Sequence, residues 1–303
     1  RDEYLGGHRL REVPQDAVAA LSQASGSIQH FCVLYGSPVL PTFAEKSGIM
    51  GRYDRNRIYV SPEQQERIRN YRVFIGGAGI GSLVAECALR LGFEHITVVD
   101  MDSVEESNLN RQNYTHRDIG LSKAEAMGDR LRAINPGAEI VVMDTEVTHD
   151  NVRGLTDGCD AAVNALDFTT DIPLELDDVC LDRGISVLHP YNIGFSSCVM
   201  VLTPGSPTLR KLLPEGASPA GFEKRAVEHV IRHFDRIAEP KLYLDRILWK
   251  YEEEGGVLPP PQLSVASNIL AGMCTDILFR LATGSVVKTF PKFYYYSIAD
   301  DVL

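Results

Sequence analysis

The chain has 303 residues, 44% hydrophobic and 23% charged, with 25 glycines and 16 prolines, enough for one large α/β domain or two small ones around a buried core. A formal net charge of -11 argues against a general nucleic-acid or anionic-membrane binder, since both need a basic face. No apolar run approaches the ~20 residues of a membrane span, no secretory pattern opens the chain, and the scattered Cys32, Cys87, Cys159, Cys180, Cys198 and Cys274 include no C-x-x-C pair, which fits buried thiols in a reducing, cytoplasmic compartment.

The first fifty residues are irregular, with "DAVAALSQA" readable as a helix and "HFCVLYGSPVL" as a short strand and turn. "SPEQQERIRN" then carries a helix start, with Ser61 as N-cap, Pro62 at the first helical position and Gln64 three residues after the cap. From Arg72 strands and helices alternate: "RVFIGG", "GSLVAECALRLG", "HITVVD", "SKAEAMGDRLRAIN" capped by Ser122, "AEIVVM", "CDAAVNAL", "IPLELDDVCLDRG" and "ISVLHP". Short apolar strands separated by helices predict an α/β, Rossmann-like, mostly parallel sheet covered by helices on both faces. After "FSSCVMVLTPG" the rhythm breaks into charged helical stretches, "FEKRAVEHVIRHF" and "KLYLDRILWKYEEEGG", which end at Pro259, Pro260 and Pro261. A long apolar helix, "QLSVASNILAGMCTDILFRLATG", and a late strand, "KFYYYSI", follow. The expected division is an N-terminal extension over 1–50, a nucleotide-binding core over 51–204, a helical insertion or lid over 205–261, and a helix and strand over 262–303 that complete the core.

"FIGGAGIGS" sets Gly77, Gly79 and Ser82 at G-x-G-x-x-S spacing between a strand and a helix, with Gly81 in the same loop. Glycines there let the backbone approach a phosphate, and the helix N-terminus supplies N–H groups and partial positive charge. Asp100 ends the next strand, about where an acid would accept hydrogen bonds from a ribose. This points to a nucleotide without saying which one.

The residues just beyond discriminate. "VVDMDSVEESNLNRQ" brings Asp100, Asp102, Asn108, Arg111 and Gln112 together, Lys123 opens the next helix, and Asp167 follows the fourth strand in "NALDFTTD". With "RYDRN" upstream, which places Arg55, the ordered set resembles the ThiF/MoeB/HesA adenylyltransferases, the family that includes ubiquitin-activating enzymes. The resemblance is close over about residues 52–203 and looser in the C-terminal helix and strand.

It implies an ATP- and Mg²⁺-dependent enzyme in which a carboxylate, of a peptide or small protein, attacks the α-phosphate to give an acyl-adenylate and pyrophosphate. Such a nucleophile is already an anion, so the obstacle is accumulated negative charge, met by positioning and cationic stabilisation. By resemblance Arg111 and Lys123 hold phosphates, Asn108 and Gln112 fix geometry, Asp167 holds Mg²⁺, Asp100 takes ribose hydroxyls, and Asp102 orients the loop or a bound cation. Arg55 matches an arginine that reaches into the partner subunit's site in bacterial members, which implies a homodimer with composite sites.

Three departures stand out. The glycine loop is one glycine short of G-x-G-G-x-G. Thr208 and Lys211 stand where many members carry zinc-binding cysteines, so no zinc is expected. Cys180, Cys198 and Cys274 fall in apolar segments that suit core thiols, so an adenylate or onward amide is expected rather than an enzyme-linked thioester, as in a divergent, peptide-modifying branch. His189, Tyr191 and Asn192 follow a strand at the edge where ligands bind, and can be read as substrate contacts or as structural residues. The competing readings are an NAD-dependent oxidoreductase, which leaves Arg111, Lys123 and Asp167 without roles, and a non-catalytic nucleotide-binding partner subunit.

Overall fold

The computed structural model describes residues 51–219, 221–234, 238–255 and 260–299, so the helix and strand expected within the first fifty residues lie outside the described residues. The chain divides into two units, Arg1–Asp54 and Arg55–Leu303; all that follows concerns the second.

The local signals act where the chemistry puts them. Helix α1 (Pro62–Asn70) starts with a capping box, the Ser61 side chain accepting from Gln64 N–H while Gln64 reaches back to the Ser61 N–H. Strand β1 (Arg72–Gly76), helix α2 (Ile80–Leu91), strand β2 (His95–Asp100), helix α3 (Lys123–Ile134) and strand β3 (Glu139–Asp144) follow, with Ser122 capping α3. A single-turn helix α4 (Val152–Leu155), which the sequence did not signal, leads into strand β4 (Ala161–Asn164), helix α5 (Ile172–Asp182) and strand β5 (Ser186–Ile193). Strand β6 (Ser196–Leu202), helices α6 (Phe222–His233), α7 (Ala238–Glu253) and α8 (Ser264–Ala282) and strand β7 (Phe293–Ser297) complete the described elements.

The seven strands form one sheet in the order β3-β2-β1-β4-β5-β6-β7. The first five are parallel; β6 then pairs antiparallel with β5, and β7 antiparallel with β6. Alternation along the strands divides the core. Val73, Ile75, Val98, Val163 and Leu188 pack with Val84, Met127 and Leu270 on one face; Phe74, Val99, Ala162, Val187 and Met200 pack with Leu174, Leu176 and Phe222 on the other. Burial on both faces is why these strands read as continuous apolar runs.

Helix α8 corrects the sequence reading on membrane segments: at 19 residues with a mean hydropathy of 1.3 it is long and apolar enough to cross a bilayer. In this fold its buried Ala266, Leu270, Cys274, Ile277 and Leu278 join the core beside β5, β6 and α2.

Candidate active site

The strand order reverses between β1 and β4, and in open α/β sheets the crevice beyond the carboxyl ends of such strands is where ligands bind. Here a cleft of about 690 Å³ opens there, lined by the loops after β1, β2 and β4, by β5, and by parts of α6 and α7. Gly77, Gly79, Asp100, Asp102, Asn108, Arg111, Gln112, Lys123 and Asp167 all line it. Two expected residues do not. Gly81 lies in the first turn of α2, where an added Cβ would stand 2.6 Å from Ile75 Cγ2, so its smallness serves helix-to-strand packing. Arg55 is exposed and outside the cleft lining of its own chain.

The glycine loop is built for close approach. Gly77 has φ +89°, and a Cβ there would meet the Ala165 carbonyl oxygen at 2.4 Å. Helix α2 opens at Gly79 with no side-chain cap, which leaves first-turn N–H groups for a ligand. Ser82 is occupied within the protein, donating to Gly79 O at 2.7 Å and accepting from Asn113 N–H at 3.1 Å.

Asp100 accepts from Ala78 N–H at 2.6 Å and from Asp102 N–H at 2.8 Å, one on each carboxylate oxygen. Burial raises its carboxyl above the ordinary value against the pull of those bonds and of Lys123. Asp102 accepts from Lys123 Nζ at 2.8 Å, joining a buried ammonium to a carboxylate that is 53% exposed. Asn108 holds its own turn, its Oδ1 accepting from Glu105 N–H at 2.9 Å. Gln112 keeps a buried side-chain oxygen without a hydrogen-bond partner among the described residues, beside Gly79.

Arg111 is held from beyond the prolines, its Nε donating to Gln262 Oε1 at 2.6 Å and its guanidinium donating also to Ser107 O at 2.9 Å. Burial lowers its basicity, opposed by the charge of Asp167. Asp167 sits exposed to the cleft, yet the surrounding walls desolvate it enough to raise its carboxyl, Lys123 and Arg111 pulling downward and Asp102 adding to the rise. Cations and carboxylates thus face one another with a helix N-terminus alongside, an arrangement that can take a polyphosphate with a divalent cation. Among the described residues no cluster of three or more His, Cys, Asp or Glu side chains is gathered for a metal, so a cation at Asp167 would take its remaining ligands from phosphate oxygens and water.

Strand β5 runs on to Ile193, so His189 and Tyr191 lie within it rather than after its end. The sequence missed three residues: Asp177 in α5, which pairs with His189; Asn164 at the end of β4, which bonds to Asp177; and Gln262, which holds Arg111. The polar residue closing "AAVN" was the available signal for Asn164. Asn192 faces α8, donating to Leu263 O at 2.8 Å and Ser267 Oγ at 2.9 Å. No cysteine lines the cleft among the described residues. Cys180, Cys198 and Cys274 are buried, and burial raises all three thiols, that of Cys180 to about 12.

Comparison with known proteins places this arrangement. The SAMP-activating enzyme E1 of Haloferax volcanii is 35% identical over 175 residues, 56% of this chain and 64% of that protein. The sulfur carrier protein ThiS adenylyltransferase of Bacillus subtilis is 33% identical over 170 residues, 54% of this chain and 50% of that protein. The chain therefore spans less than two thirds of the length of these curated relatives. The crystal structure of E. coli MccB with ATP shares the fold, with a TM-score of 0.61 at 16% identity over 93% of this chain and 82% of that one. The ThiF family profile matches residues 53–301 and so takes in every residue that lines the cleft; the chain belongs to the ThiF family.

Proposed function

We propose that this chain is an ATP-dependent adenylyltransferase that activates a carboxylate of a peptide or small protein, with Mg²⁺ as its cation. The observation that carries the reading is the meeting of Lys123, Arg111 and the uncapped start of α2 opposite Asp167 in one cleft at the sheet's switch point. The relatives' names, an activating enzyme and an adenylyltransferase of a sulfur carrier protein, support both the reaction class and a small-protein substrate.

In this reading a carboxylate oxygen attacks the α-phosphorus of ATP, the bond to the β-phosphate oxygen breaks, and pyrophosphate leaves with the electron pair. No base is needed. Lys123, Arg111 and the α2 N–H groups hold the phosphates and balance the charge that builds at phosphorus. Asp100 takes the ribose hydroxyls on the lone pairs its backbone bonds leave free, and Gln112 offers its unpaired oxygen to the ligand. Mg²⁺, held by Asp167, would neutralise phosphate charge and orient the leaving group.

The active unit in this reading is a homodimer in which Arg55 completes the partner's cleft. Support comes from its exposure outside its own cleft and from Ile58 and Tyr59 close by in sequence, 78% and 85% exposed, an apolar surface that suits a second copy.

The test is ATP–pyrophosphate exchange with a panel of peptides and small carrier proteins bearing free C-termini. Exchange that depends on the carboxylate and on Mg²⁺ is expected. Exchange with none of them, in a protein that also fails to bind MgATP, would contradict the reading.

A further inference from the structure

The cleft that holds Arg111, Lys123 and Asp167 carries a second polar group. Asn164 Nδ2 donates to Pro173 O at 2.8 Å and to Asp177 Oδ1 at 3.0 Å. His189 Nε2 lies 2.7 Å from that same Asp177 oxygen, and the Tyr191 ring stacks on the imidazole with centroids 6.4 Å apart. Asp177 and His189 are 1% exposed, Asn164 3% and Tyr191 8%. For all this burial, Asn164 Oδ1, Asp177 Oδ2, His189 Nδ1 and the Tyr191 hydroxyl have no hydrogen-bond partner among the described residues, and Asn164, His189 and Tyr191 line that cleft. Buried polar atoms are nearly always paired. Several left open together on the wall of one cleft mark where a ligand completes them.

The chemistry of the open atoms selects the ligand. Asp177 Oδ1 accepts from the Asn164 amide, and as a carboxylate oxygen it accepts from His189 Nε2–H as well, which leaves Nδ1 as a bare lone pair. Asn164 Oδ1 is also an acceptor. The paired strands β4 and β5 thus each bring one open acceptor to the same cleft, and a nitrogen with two hydrogens can satisfy two acceptors where a hydroxyl satisfies one. A thiol can enter as its thiolate, already partly formed near neutral pH, whereas a neutral amine that attacks must then shed a proton. A carboxylate orienting an imidazole is the arrangement that takes one.

We propose that Asn164, Asp177, His189 and Tyr191 form a second reactive subsite, which receives a primary amine and uses His189 Nδ1 as the base while that amine consumes the acyl-adenylate. The inference rests on the adenylation reading above. The neutral amine attacks the acyl carbon and a C–N bond forms. The C–O bond to phosphate breaks, AMP leaves with the electron pair, and the nitrogen's surplus proton passes to His189 Nδ1. The product is an amide. Asp177 is a positioning residue, since it acts through the imidazole.

The test uses the full chain with chemically prepared acetyl adenylate and glycinamide, reading AMP release and N-acetylglycinamide by mass spectrometry. The wild-type protein should accelerate amide formation, and His189→Gln should lower that rate by about 100-fold or more. Asp177→Asn should do comparable damage, because its amide can donate to Nε2 and move the ring proton to Nδ1. Circular dichroism checks the fold of each variant. Should His189→Gln fail to fold, Tyr191→Phe, which removes one hydroxyl, should still weaken glycinamide saturation by about threefold to tenfold. A stable analogue, acetylsulfamoyladenosine, separates the two readings by calorimetry on the wild type. If the analogue does not bind, the adenylation reading fails and this inference with it. If it binds while glycinamide is not acylated, while 2-mercaptoethanol is acylated in its place, or while folded His189→Gln retains the wild-type rate, the inference alone is overturned.

Discussion

Lys123 combines burial with a light tether. Its ammonium is bonded to Asp102, a carboxylate half open to solvent, and pairs so exposed contribute little stability. Lys123→Met should therefore leave the urea midpoint nearly unchanged while lowering carboxylate-dependent pyrophosphate release by about 100-fold to 1,000-fold, the usual cost of removing one electrostatic contact to a developing charge. Glu86 is the opposite case. It is buried in α2 between Arg130 at 2.5 Å and Arg90 at 2.7 Å; burial raises its carboxyl, and the two arginines more than reverse this, leaving it below the ordinary value. Its contribution is thus fully present above the unfolded-state value and lost as pH falls through the depressed folded-state value. Glu86→Gln should cost about 1–3 kcal/mol at neutral pH, and urea titrations of the two proteins should converge in acid. At this scale the charged residues were legible because their order along the chain after a glycine loop is informative. Asp177 was not, since an acid among acids on a helix looks like a solvated face until the fold turns it inward.

The elements followed their caps and their periodicity. Ser61 and Ser122 start α1 and α3 where the pattern placed them. The end of β5 was misjudged because His189 and Pro190 look like a strand stop, whereas β6 pairs antiparallel along that whole stretch and carries the strand to Ile193. Within the glycine loop the two cleft-lining glycines differ. Gly77→Ala would force φ +89° on a side chain and drive Cβ to 2.4 Å from a backbone oxygen, and should destabilise by more than about 2 kcal/mol. Gly79→Ala meets only the amide end of Gln112, at 3.3 Å; it should stay within about 1 kcal/mol of wild type while weakening MgATP binding. Thermal unfolding and calorimetry together distinguish these outcomes. The bond from Gln262 to Arg111 shows a segment distant in sequence steadying the loop that carries Arg111, a contact no local pattern announces.

The whole molecule places the cleft by topology: strands proceed outward in both directions from β1 and β4, and the candidate site residues that line the cleft collect at that reversal. Alternation of strands and helices made the parallel sheet legible, while its antiparallel edge needs a tight hairpin that turns β6 back on β5 and a β7 that reaches β6 across a long stretch of sequence. If Arg55 acts across a dimer, Arg55→Ala and Asp167→Ala proteins, each inactive alone, should regain roughly a quarter of wild-type activity per site when mixed and allowed to exchange subunits, because a mixed dimer carries one intact cleft. An inactive mixture that sedimentation shows to contain mixed dimers would place Arg55 elsewhere. The most direct measurement is a thermal-shift comparison of wild type and Asp167→Ala with saturating MgATP and with saturating NAD⁺. A ligand at a hundred times its dissociation constant adds about 2.7 kcal/mol of stability. The expected result is a rise of several degrees with MgATP, reduced in the variant, and none with NAD⁺; stabilisation by NAD⁺ alone would contradict the adenylating cleft and return the glycine loop to a dehydrogenase.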